Sequence, residues 1–434
     1  MNSVERKDGR YLRRKAMRDI HAAQYDKSFD QIFNIKNLVY AGRECCKGVR
    51  WKASIITFEA NLVVRAVKAL KMIQEKARVF RGFHSFSTIE HGKKRDIDAP
   101  NIDDRMLQKN ICRRFLTKLY SRTFVKTNSA SLVGKGMHFA LNEFKKHLRD
   151  HYRKYGLTGY VYQYDFKSYF ASIPHDKLKE RARKYIKDDD VYELLCSFID
   201  DFRLLKNQDP DNPNKGVGLG SEVSQLLALD HASPIDHFVK DQCSIHGYGR
   251  YNDDGYCICR SMEEVYRVQE GIEKIADSLG IMMSKKKCKI TPIKNRCFTF
   301  LKIRFSLTHT GKVVTKISKK SIKNMRRKIK KFRSLVDKGK ITAEDVFVAY
   351  QSWRGYAKKF DSYKTVAAMD LFFVKRFFLE LYNYRIPFKC HLGVIHTETD
   401  HWIYYDRETK KIIMPEGMEI PEILHVNIIE EDED

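Results

Sequence analysis

Two apolar segments that run into aspartates constrain the fold of this chain more than any other feature. The run Gly159–Asp165 has the apolar and aromatic content of a buried strand, and it ends in a carboxylate. Two further strand-like runs, Gly247–Tyr251 and Gly255–Arg260, flank Asn252–Asp254, which is the pattern of a hairpin with acidic residues at its turn. A carboxylate at the end of an apolar strand is poorly solvated unless it meets a cation or a donor. The pattern therefore predicts a sheet on which acidic side chains are brought together.

Carboxylates that are brought together in this way suit hard cations. Mg²⁺ takes oxygen ligands, keeps several waters and is typically completed by substrate phosphates. Two such ions about 3.5–4 Å apart can activate a 3′-hydroxyl and stabilise a leaving pyrophosphate. The alternative is that Asp165 caps a helix and that the other two aspartates form a turn. Either motif alone favours that alternative, whereas both in one strongly basic chain favour catalysis by Asp165, Asp253 and Asp254.

The chain carries a large excess of positive charge. Its 434 residues include 82 Lys and Arg against 55 Asp and Glu, a net charge of +27. Such a charge predicts nucleic acid or an anionic membrane as partner, with a basic surface kept for solubility as the alternative. No run approaches the ~18 apolar residues that span a bilayer, and the N-terminus has no apolar signal segment. Ten cysteines without a CxxC pair indicate reduced thiols, so we expect a cytoplasmic protein that binds nucleic acid and no membrane.

Five ordered motifs resemble those of prokaryotic reverse transcriptases. Arg250–Asp254 is similar to the YxDD box of that family, and Tyr164–His175 is similar to the palm motif that precedes it. A fingers motif, a downstream lysine motif and a primer grip are carried by Lys93–Gln108, Ser284–Cys288 and Phe298–Lys302. The box alone would be weak support, but the ordered set extends over roughly residues 80–305. The resemblance implies template-directed addition of deoxynucleotides to a 3′-hydroxyl, on an RNA template.

The resemblance also implies a right-hand polymerase of the α/β (α+β) class. Helical periodicity near the N-terminus and strand-like alternation near the C-terminus add an extension and an appendage to it. The predicted order is a basic N-terminal helical extension (1–80), fingers (81–158), palm (159–315), a basic helical thumb (316–384) and a small β-rich appendage with an acidic tail (385–434).

The resemblance assigns roles to the acidic residues and their neighbours. Asp165 and Asp253, with the backbone carbonyl of Phe166, are expected to hold two Mg²⁺ ions, with Mn²⁺ as a substitute. Asp254 belongs to the same box with a more structural role. Phe170 stands where the family has its steric gate, an aromatic that excludes a ribose 2′-hydroxyl. A core aromatic is the alternative for Phe170, and the two are compatible.

Several cations are assigned to the substrates by the same resemblance. Residues 82–100 are predicted to form a short hairpin rich in charge. Lys93, Arg95 and Arg105 are expected to contact the template or the incoming triphosphate, with a charged hairpin surface as the alternative. Lys287 is a candidate for protonating the leaving pyrophosphate or for binding phosphate. A solvated basic face is the alternative for Lys287, since many lysines surround it.

The segment Leu219–Gln225 distinguishes subgroups of the family. It resembles the aliphatic-G-x-x-x-S-Q form of diversity-generating retroelement enzymes, which goes with relaxed base selection, whereas group II intron and retron enzymes have Q-G-x-x-x-S-P. Gly220 lets the backbone approach a base or sugar closely, and Leu219 cannot hydrogen-bond as glutamine would. Leu219, Gly220 and Gln225 are therefore predicted substrate contacts. An antiviral defence reverse transcriptase and a non-catalytic RNA-binding scaffold stay open as alternatives.

Short strands are predicted up to about Ile317, and several basic helices from Ser318 to about Leu381. The basic stretch Lys312–Lys331 has apolar residues at approximately helical spacing and is predicted to form an amphipathic helix. In a polymerase such a helix belongs to the thumb and follows the duplex through phosphate contacts, with a membrane-surface helix or a solvated face as alternatives. Arg250 faces nucleic acid or holds the YxDD box against the palm. The predicted nucleic-acid contacts are Arg250, Tyr251, Lys302, Lys319, Lys320, Lys323, Arg326, Arg327 and Lys330.

The expected partners are a structured non-coding RNA as template, the DNA product, deoxynucleotides, and an accessory protein or further copies of the chain. Four positions depart from the family pattern. Asn252 replaces alanine or valine, Ser284 replaces asparagine, and Cys288 replaces threonine. Lys302 replaces the glycine of the primer grip.

Overall fold

The computed structural model describes residues 3–90, 93–294, 296–382, 392–396, 402–407 and 412–413. Their contacts divide the chain into two units, one that ends at Arg296 and one that begins at Cys297. Among the helices described, none combines the length and the apolar character that a membrane span needs.

The first unit begins with a group of helices. Leu38, Ala41 and Cys45 recur on one face of the third helix at the helical period, and this face is buried. The side-chain oxygen of Asn34 accepts a hydrogen bond from the amide of Asn37 at 3.0 Å and caps the start of that helix. In chain order the helices are α1 (Ser3–Ala23), α2 (Phe29–Ile32), α3 (Ile35–Cys46), α4 (Ala53–Ala60) and α5 (Leu62–Gln74).

A charged hairpin and further helices follow. Strand β1 (Phe83–Glu90) pairs antiparallel with β2 (Lys93–Pro100), which confirms the hairpin that the sequence predicts between residues 82 and 100. The elements after the hairpin are α6 (Ile102–Ile111), a π-helical turn (Cys112–Leu116), α7 (Thr117–Thr123) and α8 (Met137–Tyr155).

A four-stranded antiparallel sheet forms the centre of the first unit. Its strand order is β4-β5-β3-β6. Its strands are β3 (Tyr160–Asp165), β4 (Gly247–Tyr251), β5 (Asp254–Cys259) and β6 (Lys289–Pro292). The predicted strand before Asp165 and the predicted acidic hairpin are therefore confirmed as β3 and as β4–β5.

Helices cover this sheet and share one apolar core with it. Helix α8 contacts β4 and β5, and α14 contacts β3 and β5. Tyr162, Leu226 and Ile272 are buried in the same core. The remaining elements of the unit are α9 (Tyr169–Ser172), α10 (His175–Tyr185), α11 (Asp189–Asp200), a 3₁₀ turn (Asp201–Leu204), α12 (Glu222–His231), α13 (Ser233–His237), a π-helical turn (Phe238–Gln242) and α14 (Met262–Ser278).

The second unit starts with a three-stranded antiparallel sheet, β7-β8-β9. Residues 313–317 form β9 with alternating buried residues, which confirms the short strands that the sequence predicts up to about Ile317 and limits the basic helix to the later part of Lys312–Lys331. The helix begins only at Lys319, where the Ser318 hydroxyl accepts from the amide of Ser321 at 3.2 Å. The elements are β7 (Cys297–Phe300), β8 (Ile303–Leu307), β9 (Val313–Ile317), α15 (Lys319–Asp337), α16 (Ala343–Ala357), α17 (Tyr363–Val374), α18 (Phe378–Tyr382), β10 (Leu392–His396) and β11 (Trp402–Asp406).

The described part of the C-terminal region shares a core with the helices that precede it. Leu392, Tyr404 and Ile413 are buried in the same core as Ile329 of α15 and Phe373 of α17. Strands β10 and β11 pair with each other, as the alternation predicted. The sheet β7-β8-β9 also lies in the second unit, whereas the predicted palm runs to residue 315. The five-part division itself stays a prediction, and the acidic tail 430–434 lies outside the described residues.

Candidate active site

Three carboxylates lie together where the central strands of the sheet meet. Asp165 is the last residue of β3, and its direct partner in the antiparallel register is Asp254, the first residue of β5. Asp253 lies in the two-residue loop between β4 and β5. Its carbonyl oxygen accepts a hydrogen bond from the amide of Phe166 at 3.2 Å. The structure thus brings together the three aspartates that the sequence singled out.

The protonation of these carboxyl groups is perturbed by burial and by the groups themselves. Burial, the charge of Asp253 and a hydrogen bond with Asp165 raise the pKa of Asp254 to about 7. Burial also raises the pKa of Asp253, with a further contribution from the charge of Asp165. The charges of Lys287 and Arg95 act on the pKa of Asp253 in the opposite direction. The cluster is therefore short of positive charge, which is the electrostatic condition for attracting cations.

The donor atoms of this cluster suit a hard divalent cation. Carboxylate oxygens are ligands that Mg²⁺ prefers, and a nucleotide triphosphate supplies further oxygens. Within the described residues, no three His, Cys, Asp or Glu side chains are already arranged as a metal site. Asp165 and Asp253 would hold the ions together with substrate oxygens, and the carbonyl of Phe166 stays a predicted ligand.

Lys287 reaches this cluster directly. Its ammonium nitrogen lies 2.6 Å from Oδ1 of Asp165, and this hydrogen bond raises the pKa of Lys287. The backbone holds the lysine segment in place, because the amide of Ser284 donates to the carbonyl of Asp165 at 2.8 Å. Ser284 makes this contact with its backbone, so the replacement of the family's asparagine there leaves the contact intact. The structure places Lys287 among the carboxylates, and its contact with pyrophosphate stays a prediction.

Two roles were predicted for Arg250, and its buried position contradicts the contact with nucleic acid and agrees with holding the YxDD box. Its side chain is fully buried, and both Nε and Nη2 lie 2.7 Å from the carboxylate oxygens of Asp236. Nη1 donates to the carbonyl of Asn252 at 2.9 Å, and Nη2 donates to that of Leu229 at 3.0 Å. Burial lowers the pKa of Arg250, but the charge and hydrogen bonds of Asp236 outweigh it, so the arginine stays charged. Through these hydrogen bonds Arg250 supports the tip of the β4–β5 hairpin from its buried side.

Asp236 is a residue of the site that the sequence analysis missed. It is fully buried on α13, and besides Arg250 it accepts a hydrogen bond from the hydroxyl of Tyr248 at 2.6 Å. The Tyr248 hydroxyl is in turn 2.8 Å from that of Tyr164 on β3. An arginine within an apolar strand indicates that a buried carboxylate exists somewhere. The sequence does not indicate which of the many acidic residues it is.

The loop at the hairpin tip explains one departure from the family pattern. Asn252 has φ +52°, in the left-handed region that asparagine tolerates better than alanine or valine does. Tyr251 precedes it as the register partner of Asp254 and is half-buried. Its predicted contact with nucleic acid stays a prediction.

The β1–β2 hairpin approaches both the carboxylates and the segment Leu219–Gln225, whose predicted role is base selection (the base-selecting segment). Arg95 is exposed on β2, and its charge acts on Asp253, as noted above. Lys93 is the first residue of the same strand. The carbonyl of Leu219 accepts from the amide of Asp98 at 2.9 Å, which attaches the segment to β2. Gly220 has φ +131°, and a Cβ there would lie 3.0 Å from the carbonyl oxygen of Asp98, so only glycine fits.

A cleft of about 510 Å³ brings three predicted substrate residues together, namely Arg105, Gly220 and Gln225. The Gln225 side-chain oxygen accepts from the hydroxyl of Ser131 at 2.9 Å. The other lining residues are Glu44, Cys45, Lys47, Val49, Gln108, Lys109, Ser131, Ser221 and Glu222. The cleft therefore combines the base-selecting segment with residues of α3 and α6, and no sequence motif indicated the contribution of α3.

Phe170 is half-buried next to the base-selecting segment. Its carbonyl accepts from the amide of Val217 at 2.7 Å, and its ring packs edge-on against Tyr169. Both predictions for Phe170, a steric gate and a core aromatic, suit this position, and the gate role stays a prediction.

The other predicted nucleic-acid contacts lie in the second unit. The predicted cations of α15 are all exposed, and five of them line a groove with Ile322 and Phe372. The guanidinium of Arg326 lies 5.2 Å from the centre of the Phe372 ring. Lys302 is exposed in the turn between β7 and β8 with φ +68°, where the family's glycine would be unstrained. The exposed α15 residues are Lys319, Lys320, Lys323, Arg326, Arg327 and Lys330.

Known proteins resemble this chain in sequence and in structure. An uncharacterized 91 kDa protein in the cob intron of Schizosaccharomyces pombe is 27% identical over 157 residues, which are 36% of this chain and 18% of that protein. The chain thus matches less than a fifth of that relative's length. The structure of apo telomerase from Candida tropicalis, truncated from its C-terminal domain, aligns with a TM-score of 0.42 and 12% identity over 54% of this chain and 55% of that one.

One protein family matches more than half of the chain. The family described as reverse transcriptase (RNA-dependent DNA polymerase) matches residues 84–305. The match contains all five motifs and the three clustered aspartates. The prediction of an RNA-directed DNA polymerase domain is thereby confirmed, and the chain belongs to the reverse transcriptase family.

Proposed function

We propose that this chain is an RNA-directed DNA polymerase that copies a structured RNA with Mg²⁺ and deoxynucleotides, as part of a diversity-generating retroelement. The observation that carries the proposal is the meeting of Asp165, Asp253 and Asp254 at the strand ends of a sheet in a reverse transcriptase domain. Bound Mg²⁺ would activate the primer 3′-hydroxyl and stabilise the leaving pyrophosphate.

The residues around the carboxylates have separate tasks in this reaction. Lys287, which is bonded to Asp165, is placed to donate a proton or a hydrogen bond to the pyrophosphate. Arg95, on the β1–β2 hairpin, adds a positive charge that would stabilise the negative charge of a bound triphosphate. Phe170 would exclude ribonucleotides by contact with a 2′-hydroxyl. Arg250 does not touch the substrate and acts by holding Asn252, the residue before Asp253.

The base-selecting segment supports the retroelement subgroup. Leu219 presents an aliphatic side chain, and its backbone is fixed to β2 through Asp98. A leucine at this position gives no hydrogen bond to a base, so discrimination between incoming bases weakens. Relaxed fidelity is a property that a mutagenic retroelement requires.

The decisive experiment is to sequence the RNA and DNA that purify with the full chain. Wild type is compared with Asp253→Ala, and Asp211→Ala serves as a matched control because Asp211 is exposed in a polar loop. We expect a defined RNA with all three proteins, and complementary DNA with wild type and Asp211→Ala only. If RNA is present and no variant makes DNA, even with primer, Mg²⁺ and deoxynucleotides supplied, the chain is an RNA-binding scaffold.

The errors in that DNA test the subgroup. We expect frequent mismatches to the RNA with wild type and fewer with Leu219→Gln, which restores a hydrogen-bonding side chain. A faithful copy of one fixed RNA would instead support the alternative of an antiviral defence enzyme. A prokaryotic, cytoplasmic setting and an accessory partner are part of this proposal and follow from the sequence alone.

A further inference from the structure

The turn between α3 and α4 presents an aromatic side chain to solvent. Trp51, in the turn segment Lys47–Lys52, is 77% exposed. The ammonium of Lys52 lies 5.2 Å from the centre of the Trp51 ring. An aromatic ring with basic neighbours on a protein surface is typical of sites that stack on nucleic-acid bases. The turn precedes residue 84, where the family match begins.

An exposed ion pair spans from the turn to α4. The Arg50 guanidinium donates to both carboxylate oxygens of Glu59, with Nε 2.9 Å from Oε2 and Nη2 2.8 Å from Oε1. This bidentate geometry favours one orientation of the Arg50 side chain, which directly precedes Trp51. Because the pair is exposed, it restrains the turn only weakly.

The turn is also the rim of the cleft that contains the base-selecting segment. Lys47 and Val49 line this cleft together with Arg105 and Gly220. Trp51 is two residues beyond Val49, so the two Cα atoms are at most ~7 Å apart. Arg105 is exposed and makes no ion pair with any described residue, so its charge is available for a phosphate.

We propose that the Lys47–Lys52 turn binds the unpaired template strand, with the Trp51 ring stacked on a base. Lys52 contacts a phosphate of the same strand, and so does Lys47 by exchanging its exposed ion pair with Glu44, at 2.9 Å, for the phosphate. The inference rests on the proposed function, because only a template strand must be unpaired where it meets the base-selecting segment. Stacking on an aromatic ring tolerates any base, which suits a template of arbitrary sequence.

The test measures the affinity of the full chain for two primer–template duplexes without deoxynucleotides. One duplex is blunt, and the other has ten unpaired template nucleotides beyond the primer end. The variants are Trp51→Ala, Trp51→Phe and the control Tyr266→Ala, which removes a 59% exposed aromatic from α14. We expect Trp51→Ala to weaken binding of the overhang duplex by about 5- to 150-fold and that of the blunt duplex hardly at all. Trp51→Phe keeps most of the affinity, and Tyr266→Ala matches wild type.

Three results would overturn the inference. Equal affinities of wild type and Trp51→Ala for the overhang duplex would exclude stacking. Equal losses on both duplexes would show that Trp51 acts through the fold or on paired nucleic acid. A change in native mass on Trp51→Ala would mark a protein-docking surface, for which the exposed Ile56 of α4 and Val63 and Val64 of α5 are further candidates. Primer extension by wild type is scored separately, so a protein that binds overhangs through Trp51 but extends no primer contradicts the proposed function alone.

Discussion

The β4–β5 and β7–β8 hairpins have two-residue loops that the structure describes, and these two loops are supported in different ways. The β4–β5 loop, Asn252–Asp253, has one residue in the left-handed region, and it is an asparagine. The β7–β8 loop consists of Leu301 and Lys302, with φ +46° and +68°, and neither is a residue that favours this region. Beneath the first loop lies the buried Arg250 with its four hydrogen bonds.

The difference shows how the protein fixes the position of a catalytic carboxylate. The carbonyl next to Asp253 is held by a buried guanidinium, so the carboxylate starts from a defined place. The β7–β8 loop instead contains local backbone strain, of order 1–2 kcal/mol per left-handed residue. We expect loss of the buried support to lower the stability and the activity of the first hairpin. We expect relief of backbone strain to raise the stability of the second hairpin.

Removal of the Asp236 carboxylate should have the largest effect. Asp236→Ala leaves the charge of Arg250 buried without its partner, which typically costs about 3–5 kcal/mol. We expect that loss in denaturant unfolding of the first unit and no detectable primer extension. Glu180→Gln, which breaks an exposed pair with Lys177, should stay within about 0.5 kcal/mol of wild type. Wild-type stability and activity of Asp236→Ala would disprove the role given to Arg250.

Substitution of Lys287 should slow the reaction without unfolding the hairpin. The side chain is 54% exposed, so little packing is lost with Lys287→Ala. Loss of a proton donor at the leaving group typically costs about 10²–10⁴-fold in rate. Single-turnover primer extension measures it, with the exposed neighbour Lys285→Ala as control. If the Lys287→Ala enzyme extends primers as fast as wild type, Lys287 is only part of a solvated basic surface.

Acid should destabilise the first unit through its buried histidines. Burial lowers the pKa of His147 to about 3, and its Nδ1 lies 2.9 Å from the hydroxyl of Tyr256 on β5. The unfolded chain binds this proton near pH 6.5 and the folded chain does not, so stability falls as pH drops below 6.5. Between pH 7 and pH 5 the loss is about 2 kcal/mol for this histidine. His147→Gln should flatten the pH dependence of the unfolding midpoint, and an unchanged slope would contradict the assignment.

Relief of strain in the β7–β8 loop should have the smallest effect. Lys302→Gly removes a left-handed lysine and should stabilise the second unit by about 0.5–1 kcal/mol, since glycine's added freedom in the unfolded chain offsets part of the gain. Asn252→Gly is the matched substitution in the other hairpin and should be close to neutral. Thermal unfolding of both variants measures the two shifts in unfolding temperature. Equal shifts would contradict the difference in strain between the two loops.

The parts of the site that the sequence predicted are those with a local pattern. Asp165 follows an apolar strand, and Asp253 and Asp254 stand between two strand-like runs, so period and turn chemistry suffice to place them. Asp236 lies 14 positions before Arg250 on a different element, and only tertiary packing makes them partners. For that reason the sequence left two roles open for Arg250, contact with nucleic acid and support of the YxDD box.

The fold was predicted in its elements and less well in its boundaries. The change from strands to helices near Ile317 was predicted, but the dense lysines between residues 312 and 331 extended the predicted basic helix over the short, partly polar strand β9. Trp51 was not singled out because a lone tryptophan carries no periodic signal. Its exposure is a property of the packed chain.

The family match and the first structural unit end at different residues. The family match ends at residue 305, whereas the second unit begins at Cys297. A fragment cut where the match ends would keep β7 and most of β8 but lack β9, which pairs with β8, and the helices of that core. Phe298, Phe300 and Phe305 would lose their cover, and the open strand edge would promote aggregation. A soluble fragment of the catalytic unit should therefore end near Arg296, without the primer-grip motif.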